Sequence, residues 1–232
     1  MVKVNSALFL YFAAILLYVV AVLIGSDNLE LFSKPIIIPS IYYFYYTSVK
    51  GKISYLFTFS VLSYFTGEIL FLLNQDDFLL SSLVFFGIPY IIITFFLAQD
   101  FLFYLKIKKY DVNNISFYII LMLLFYLLYN VLSFINETSQ IEFSIYIIYG
   151  ILLLVMGLLS FLIQFNFNNK AISFMVLMVV FFIISDLFYI FSKSTKDVMA
   201  LKLINVVSQQ LSYYLYVGYF VYRTKLYPHL RS

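Results

Sequence analysis

The sequence predicts an all-α polytopic bundle of eight transmembrane helices, a single integral-membrane domain over residues 1–232. Two observations carry that reading. Charged residues make up only 11% of the chain and hydrophobic ones 64%, with a mean hydropathy of +1.01. A soluble domain carries about 25% charged residues, so this chain lacks the polar surface to stay in water. The apolar residues also come in long runs with weak period-2 alternation, which points to membrane helices and away from an outer-membrane barrel.

Each run can be justified in order. Residues 7–24 form an apolar stretch of helical length without a small-residue cleavage site, so it reads as a first membrane helix and not a signal peptide. Residues 25–34 read as a polar loop. Residues 35–49, PIIIPSIYYFYYTSV, are apolar but short, and either span or lie re-entrant at the interface. Pro35 suits a first helical turn, where its missing N–H is no loss, and Pro39 would kink the helix or extend its cap. The remaining helices are expected at residues 53–73, 78–105, 115–135, 143–163, 171–191 and 199–222. Pro89 lies near the middle of the fourth.

Charge sets the orientation. With eight crossings, one side receives ten Lys and Arg and the other four, so the ten-charge side, with both termini, is expected to be cytoplasmic. If residues 35–49 do not cross, only Lys3 and Lys34 exchange sides and the counts stay the same. The net charge of +3 and the absence of a basic nucleic-acid-binding domain give no reason to expect a nucleic-acid partner. With no Cys and a single His, His229, there is no disulfide, thiolate nucleophile or multi-His zinc site. No metal or cofactor is expected.

Intramembrane polar residues point to a site. A carboxyl in hydrocarbon costs about 3 kcal/mol on insertion scales, so it usually has a partner or a task. Glu68 lies five residues before the end of the third run, and Asp186 five before the end of the seventh. That is about 7.5 Å along each axis. Both runs point the same way, so the two carboxyls should share a depth. Asn130 of the fifth run is expected in the same half. In the eighth run Asn205, Ser208, Gln209, Ser212, Tyr216 and Tyr219 recur at helical spacing and share a face. Asp100, about one turn from the other rim, is expected to be solvated.

The residues that carry a family resemblance are Lys34-Pro35, Gly67-Glu68, Ser185-Asp186 and YYLYVGY at residues 213–219. In this order they resemble the YhhN family of membrane proteins, whose characterised members are lysoplasmalogenases. The resemblance implies eight helices, a bacterial inner-membrane location and hydrolysis of the vinyl ether bond of a lysolipid. Two positions depart from the family pattern. The family's Gly-Asp reads Gly67-Glu68 here. An H-x-x-Y-like motif of the fourth helix is matched by Gly87-Ile88-Pro89-Tyr90, with the Tyr kept and the His absent.

Vinyl ethers hydrolyse by acid catalysis, which needs a proton donor and an anion near the oxocarbenium ion. Two carboxyls in different environments can supply both, which makes Glu68 and Asp186 the candidate catalytic pair. A structural contact between them, or with a lysine, is the alternative. The candidate substrate-binding residues are Lys34, Tyr90, Gln209 and Tyr213. Lys34 either binds a phosphate at the rim or snorkels to the interface. The expected partners are a lysophospholipid or other single-chain amphiphile and the surrounding membrane lipids. Rival readings are a non-catalytic lipid-binding protein and a proton-coupled small-molecule transporter.

Overall fold

A computed structural model describes residues 5–50, 52–73, 75–107, 115–134, 140–195 and 198–226. Lys3, Lys108, Lys109, Lys196, His229 and Arg231, which enter the sequence reading, lie outside them. Eight helices follow one another: α1 (Ser6–Ile24), α2 (Asp27–Ser48), α3 (Tyr55–Leu73), α4 (Gln75–Ile107), α5 (Ile115–Phe134), α6 (Gln140–Asn166), α7 (Lys170–Ser194) and α8 (Met199–Leu226). There are no strands among the described residues. The fold is the expected all-α bundle, and six helices, all but α2 and α8, are long and apolar enough to cross a membrane.

Local chemistry sets several boundaries. Asn5 caps α1, its side chain accepting from the Ala7 N–H at 3.0 Å. Gly25 ends α1 with a left-handed φ of 64°, a conformation glycine reaches without a Cβ clash. Asn169 caps α7 in the same way through Ile172, and its amide donates to the Tyr104 hydroxyl, which ties the start of α7 to α4.

The second helix corrects the sequence reading. It starts at Asp27, not Pro35, and runs for 22 residues, about 33 Å at the helical rise. Pro35 and Pro39 therefore sit inside the helix, not at its first turn. A proline in a helix interior frees a carbonyl one turn back, and neighbouring helices make this tolerable in a bundle. Here α2 packs against α1, α3 and α8. Asp27 and Glu30 lie in its first turn, where acids complement the helix dipole.

The arrangement explains why α2 and α8 are more polar than the other six helices. Both carry polar side chains that turn inward, including buried Ser33, Lys34, Ser208, Gln210, Ser212 and Arg223. α8 packs on α7, α2 and α1, and Tyr216, Val217, Tyr219 and Phe220 from it are buried in the core. The apolar helices instead present large exposed hydrophobics such as Leu16, Phe59, Ile91, Met122 and Tyr126, as expected of a surface in lipid. Polar groups inside a membrane bundle face its interior and pair there.

Close packing beside Glu68 depends on its neighbour. A Cβ on Gly67 would come within 2.9 Å of Phe86 and 3.3 Å of the Ser82 carbonyl. Gly67 thus lets α3 and α4 approach at the level of the carboxyl.

Candidate functional site

One cavity of about 1040 Å³ collects the sequence-predicted residues: Lys34, Glu68, Tyr90, Asp186, Gln209 and Tyr213 all line it. Five helices deliver them. α2 brings Lys34, α3 Glu68, α4 Tyr90, α7 Asp186, and α8 both Gln209 and Tyr213. Leu124, Leu127 and Leu128 of α5 and Leu153 of α6 add an apolar part to the lining. The lining continues to exposed Asp27, Lys193 and Lys202, so the cavity opens at that end of the bundle. Its volume is at the upper end of ordinary small-molecule sites, about 300–1,000 Å³.

The two carboxyls live in different surroundings. Glu68 is 4% exposed and each of its oxygens is occupied. Oε2 lies 2.7 Å from the Lys34 ammonium. Oε1 accepts from Gln209 Nε2 and from the Tyr213 hydroxyl, each at 2.7 Å. Gln209 and Tyr213 are themselves in contact, 3.2 Å apart. Lys34 also lies 5.5 Å from the Tyr18 ring and 5.2 Å from that of Phe71, so its charge is held by both a carboxylate and π-faces. Asp186 is only partly buried and has a single hydrogen-bond partner among the described residues, the Tyr90 hydroxyl donating to Oδ2 at 2.9 Å. No cation pairs with it among the described residues.

Three sequence expectations need correction. Lys34 is neither a rim nor a snorkelling lysine: it is 9% exposed and spent on Glu68. Asn130 does not join the polar cluster, because its amide donates to the Tyr126 carbonyl of its own helix at 2.7 Å. Asp100 is not solvated. It is 2% exposed, accepts from the Tyr219 hydroxyl at 2.5 Å and pairs with Arg223 Nε at 2.9 Å. Arg223 also donates to Gln99 at 3.1 Å and stacks 4.8 Å from the Phe96 ring.

The polar face of α8 accounts for both clusters. Asn205 donates to the Ser185 carbonyl at 2.8 Å, Gln209 and Tyr213 to Glu68, and the Tyr216 hydroxyl meets Ser60 at 2.6 Å. Tyr219 and Arg223 continue the stripe to Asp100. One helix face thus binds α7, α3 and α4 in turn. Arg223 was legible in principle, since it follows Tyr219 by four residues and extends the spacing already noted. Tyr64 and Tyr149, which also line the cavity, had no such signal among 23 tyrosines.

Fold and site together define a polytopic helical membrane protein with a buried, two-carboxyl cavity. No family model, curated protein or solved structure matches the chain. The resemblance to the YhhN family therefore rests on the motifs alone.

Proposed function

We propose that this protein is a lysoplasmalogenase-like intramembrane hydrolase of the YhhN type, cleaving the vinyl ether of a single-chain lysolipid. The observation that carries the reading is the cavity itself, whose lining combines an ion-paired carboxylate, a carboxyl with no cation paired to it among the described residues, and several leucines. An acyl-like chain suits the leucines. The charged opening, with Lys193 and Lys202, suits a polar head group.

In this proposal Asp186 is the acid. Among the described residues no cation pairs with it, so it is the carboxyl free to carry a proton into the site. It protonates the β-carbon of the vinyl ether, and the adjacent carbon becomes an oxocarbenium ion. The carboxylate left behind lies beside the cation it has generated. Water adds to that carbon and returns a proton to Asp186. The resulting hemiacetal collapses, its hydroxyl proton passing to the departing alkoxy oxygen, to give an aldehyde and an alcohol. Glu68 keeps negative charge in the cavity, but Lys34 balances it, so the larger share of the work falls on Asp186. Tyr90 holds Asp186 in position by its hydrogen bond.

Purified protein incubated with a vinyl-ether lysolipid should release fatty aldehyde. Absence of aldehyde from folded protein sinks the enzyme reading. The second reading, a non-catalytic lipid-binding protein, is favoured by one feature: both oxygens of Glu68 already have partners within the protein. Transport is less well supported, because the polar stripe of α8 ends in a buried, mutually paired Asp100 and Arg223 and not in an open path.

We propose that both termini are cytoplasmic, on the Lys and Arg asymmetry, and that the membrane is a bacterial inner membrane, on the resemblance to the YhhN family. Two exposed lysines, Lys202 near the start of α8 and Lys225 near its end, allow a test, since the chain has no native Cys. In intact cells an impermeant thiol reagent should label Lys202→Cys and leave Lys225→Cys unlabelled. The reverse pattern overturns the orientation.

A further inference from the structure

Three tyrosines stand together in the cavity lining. The ring of Tyr64 is 5.1 Å from that of Tyr213 and 6.3 Å from that of Tyr90. Tyr213 gives its hydroxyl to Glu68, and Tyr90 gives its own to Asp186. Tyr64 lies between these two tyrosines, and its hydroxyl has no hydrogen-bond partner among the described residues although Tyr64 is only 3% exposed. Its ring stacks on Phe182 at 6.0 Å and 14°, and packs near Phe86 and Tyr216.

A buried hydroxyl without a partner carries the full desolvation cost of its O–H, and native proteins leave few such groups. Packing does not explain the oxygen. The aromatic contacts of Tyr64 are made by its ring, and phenylalanine would make them equally well. The unspent donor belongs to a cavity-lining residue flanked by the tyrosines that hold the two carboxyls.

We propose that the Tyr64 hydroxyl binds an oxygen of the amphiphile that occupies the cavity, fixing its head-proximal end between Tyr90–Asp186 and Tyr213–Glu68. The ligand class is thereby narrowed to chains that carry an ether or hydroxyl oxygen next to the alkyl tail, as opposed to a plain hydrocarbon. The inference rests on the reading of the cavity as a site for a single-chain amphiphile. Tyr64 is a substrate-binding residue in this scheme, and proton transfer stays with Asp186.

The test is binding of a hexadecyl lysophospholipid with a saturated ether, which has no vinyl ether to cleave, to wild-type protein and to Tyr64→Phe. The variant keeps the ring and removes only the oxygen, so it should fold. A single neutral hydrogen bond predicts about a threefold to tenfold loss of affinity. The thermal midpoint of the empty variant should be unchanged or higher, because an unpartnered buried polar atom has been removed. Tyr213→Phe serves as the contrast: it strips a donor from Glu68 and should lower the midpoint of the empty protein. Equal affinity of wild type and Tyr64→Phe overturns the inference while leaving the amphiphile reading intact. A clear fall in the midpoint of empty Tyr64→Phe also overturns it, by revealing a structural partner for the hydroxyl. Failure of wild-type protein to bind the probe overturns both readings together.

Discussion

Asp186→Asn is expected to reduce vinyl-ether cleavage by about 10²–10⁴-fold, the usual worth of general acid catalysis, with the bundle intact. The asparagine carbonyl can still accept from the Tyr90 hydroxyl, the one hydrogen bond the carboxylate makes among the described residues. Because Asp186 has no ion-pair partner among the described residues, losing its charge strands no cation. What disappears is the proton and, after transfer, the carboxylate beside the oxocarbenium ion. Glu68→Gln should behave differently. It removes the counter-charge of a buried lysine, so its first effect is on folding, and its loss of cleavage per folded molecule should be smaller than that of Asp186→Asn. Aldehyde release measured against the folded fraction separates the two. If Asp186→Asn cleaves within a few-fold of wild type, Asp186 is not the acid.

Hydropathy made the bundle legible, because long apolar runs in water-starved sequence have few alternatives. It was less able to bound α2. Lys34-Pro35 reads as the end of a loop by local rules, since an interior proline costs a helix a hydrogen bond. The structure continues the helix through it, with neighbours on several sides of α2. The same error hid the pairing of Lys34. A lysine assigned to a loop has no reason to reach a carboxyl, whereas a lysine on the third turn of a helix packed on α3 does.

Depth arithmetic was more successful for the carboxyls than for the rims. Counting residues from the ends of α3 and α7 put Glu68 and Asp186 at a common level, and both line one cavity. Applied to Asp100, the count placed the carboxyl near water, because it assumes that the last turn of an apolar run is exposed; Arg223 lies just past the eighth run. α4 and α8 extend past the apolar runs to Ile107 and Leu226, so the two charges face each other inside the bundle. The helical spacing of α8 carried more information than its hydropathy: its side-chain hydrogen bonds to Ser185, Glu68, Ser60 and Asp100 all come from one face.

Lys34→Met is expected to be the most destabilising single change at the site. The Lys34–Glu68 pair is buried, with side chains 8% and 5% exposed. Removing one member of such a pair leaves an uncompensated charge and costs about 3–5 kcal/mol, whereas replacing both members can be neutral. Gln209 and Tyr213 would still donate to Glu68, which tempers the loss without supplying a counter-charge. The variant should therefore show a lowered thermal midpoint in detergent. Adding Glu68→Gln should restore most of it, since the amide can keep accepting from Gln209 and Tyr213 through its carbonyl oxygen. Because residues in one network are coupled, the double variant should be more stable than Lys34→Met alone, a non-additivity of the kind that double-mutant cycles measure. A Lys34→Met protein as stable as wild type would mean that the pair contributes nothing to the fold. Additive losses in the double variant would mean that Lys34 and Glu68 act separately, and that the neutralised-anion picture of the cavity is wrong.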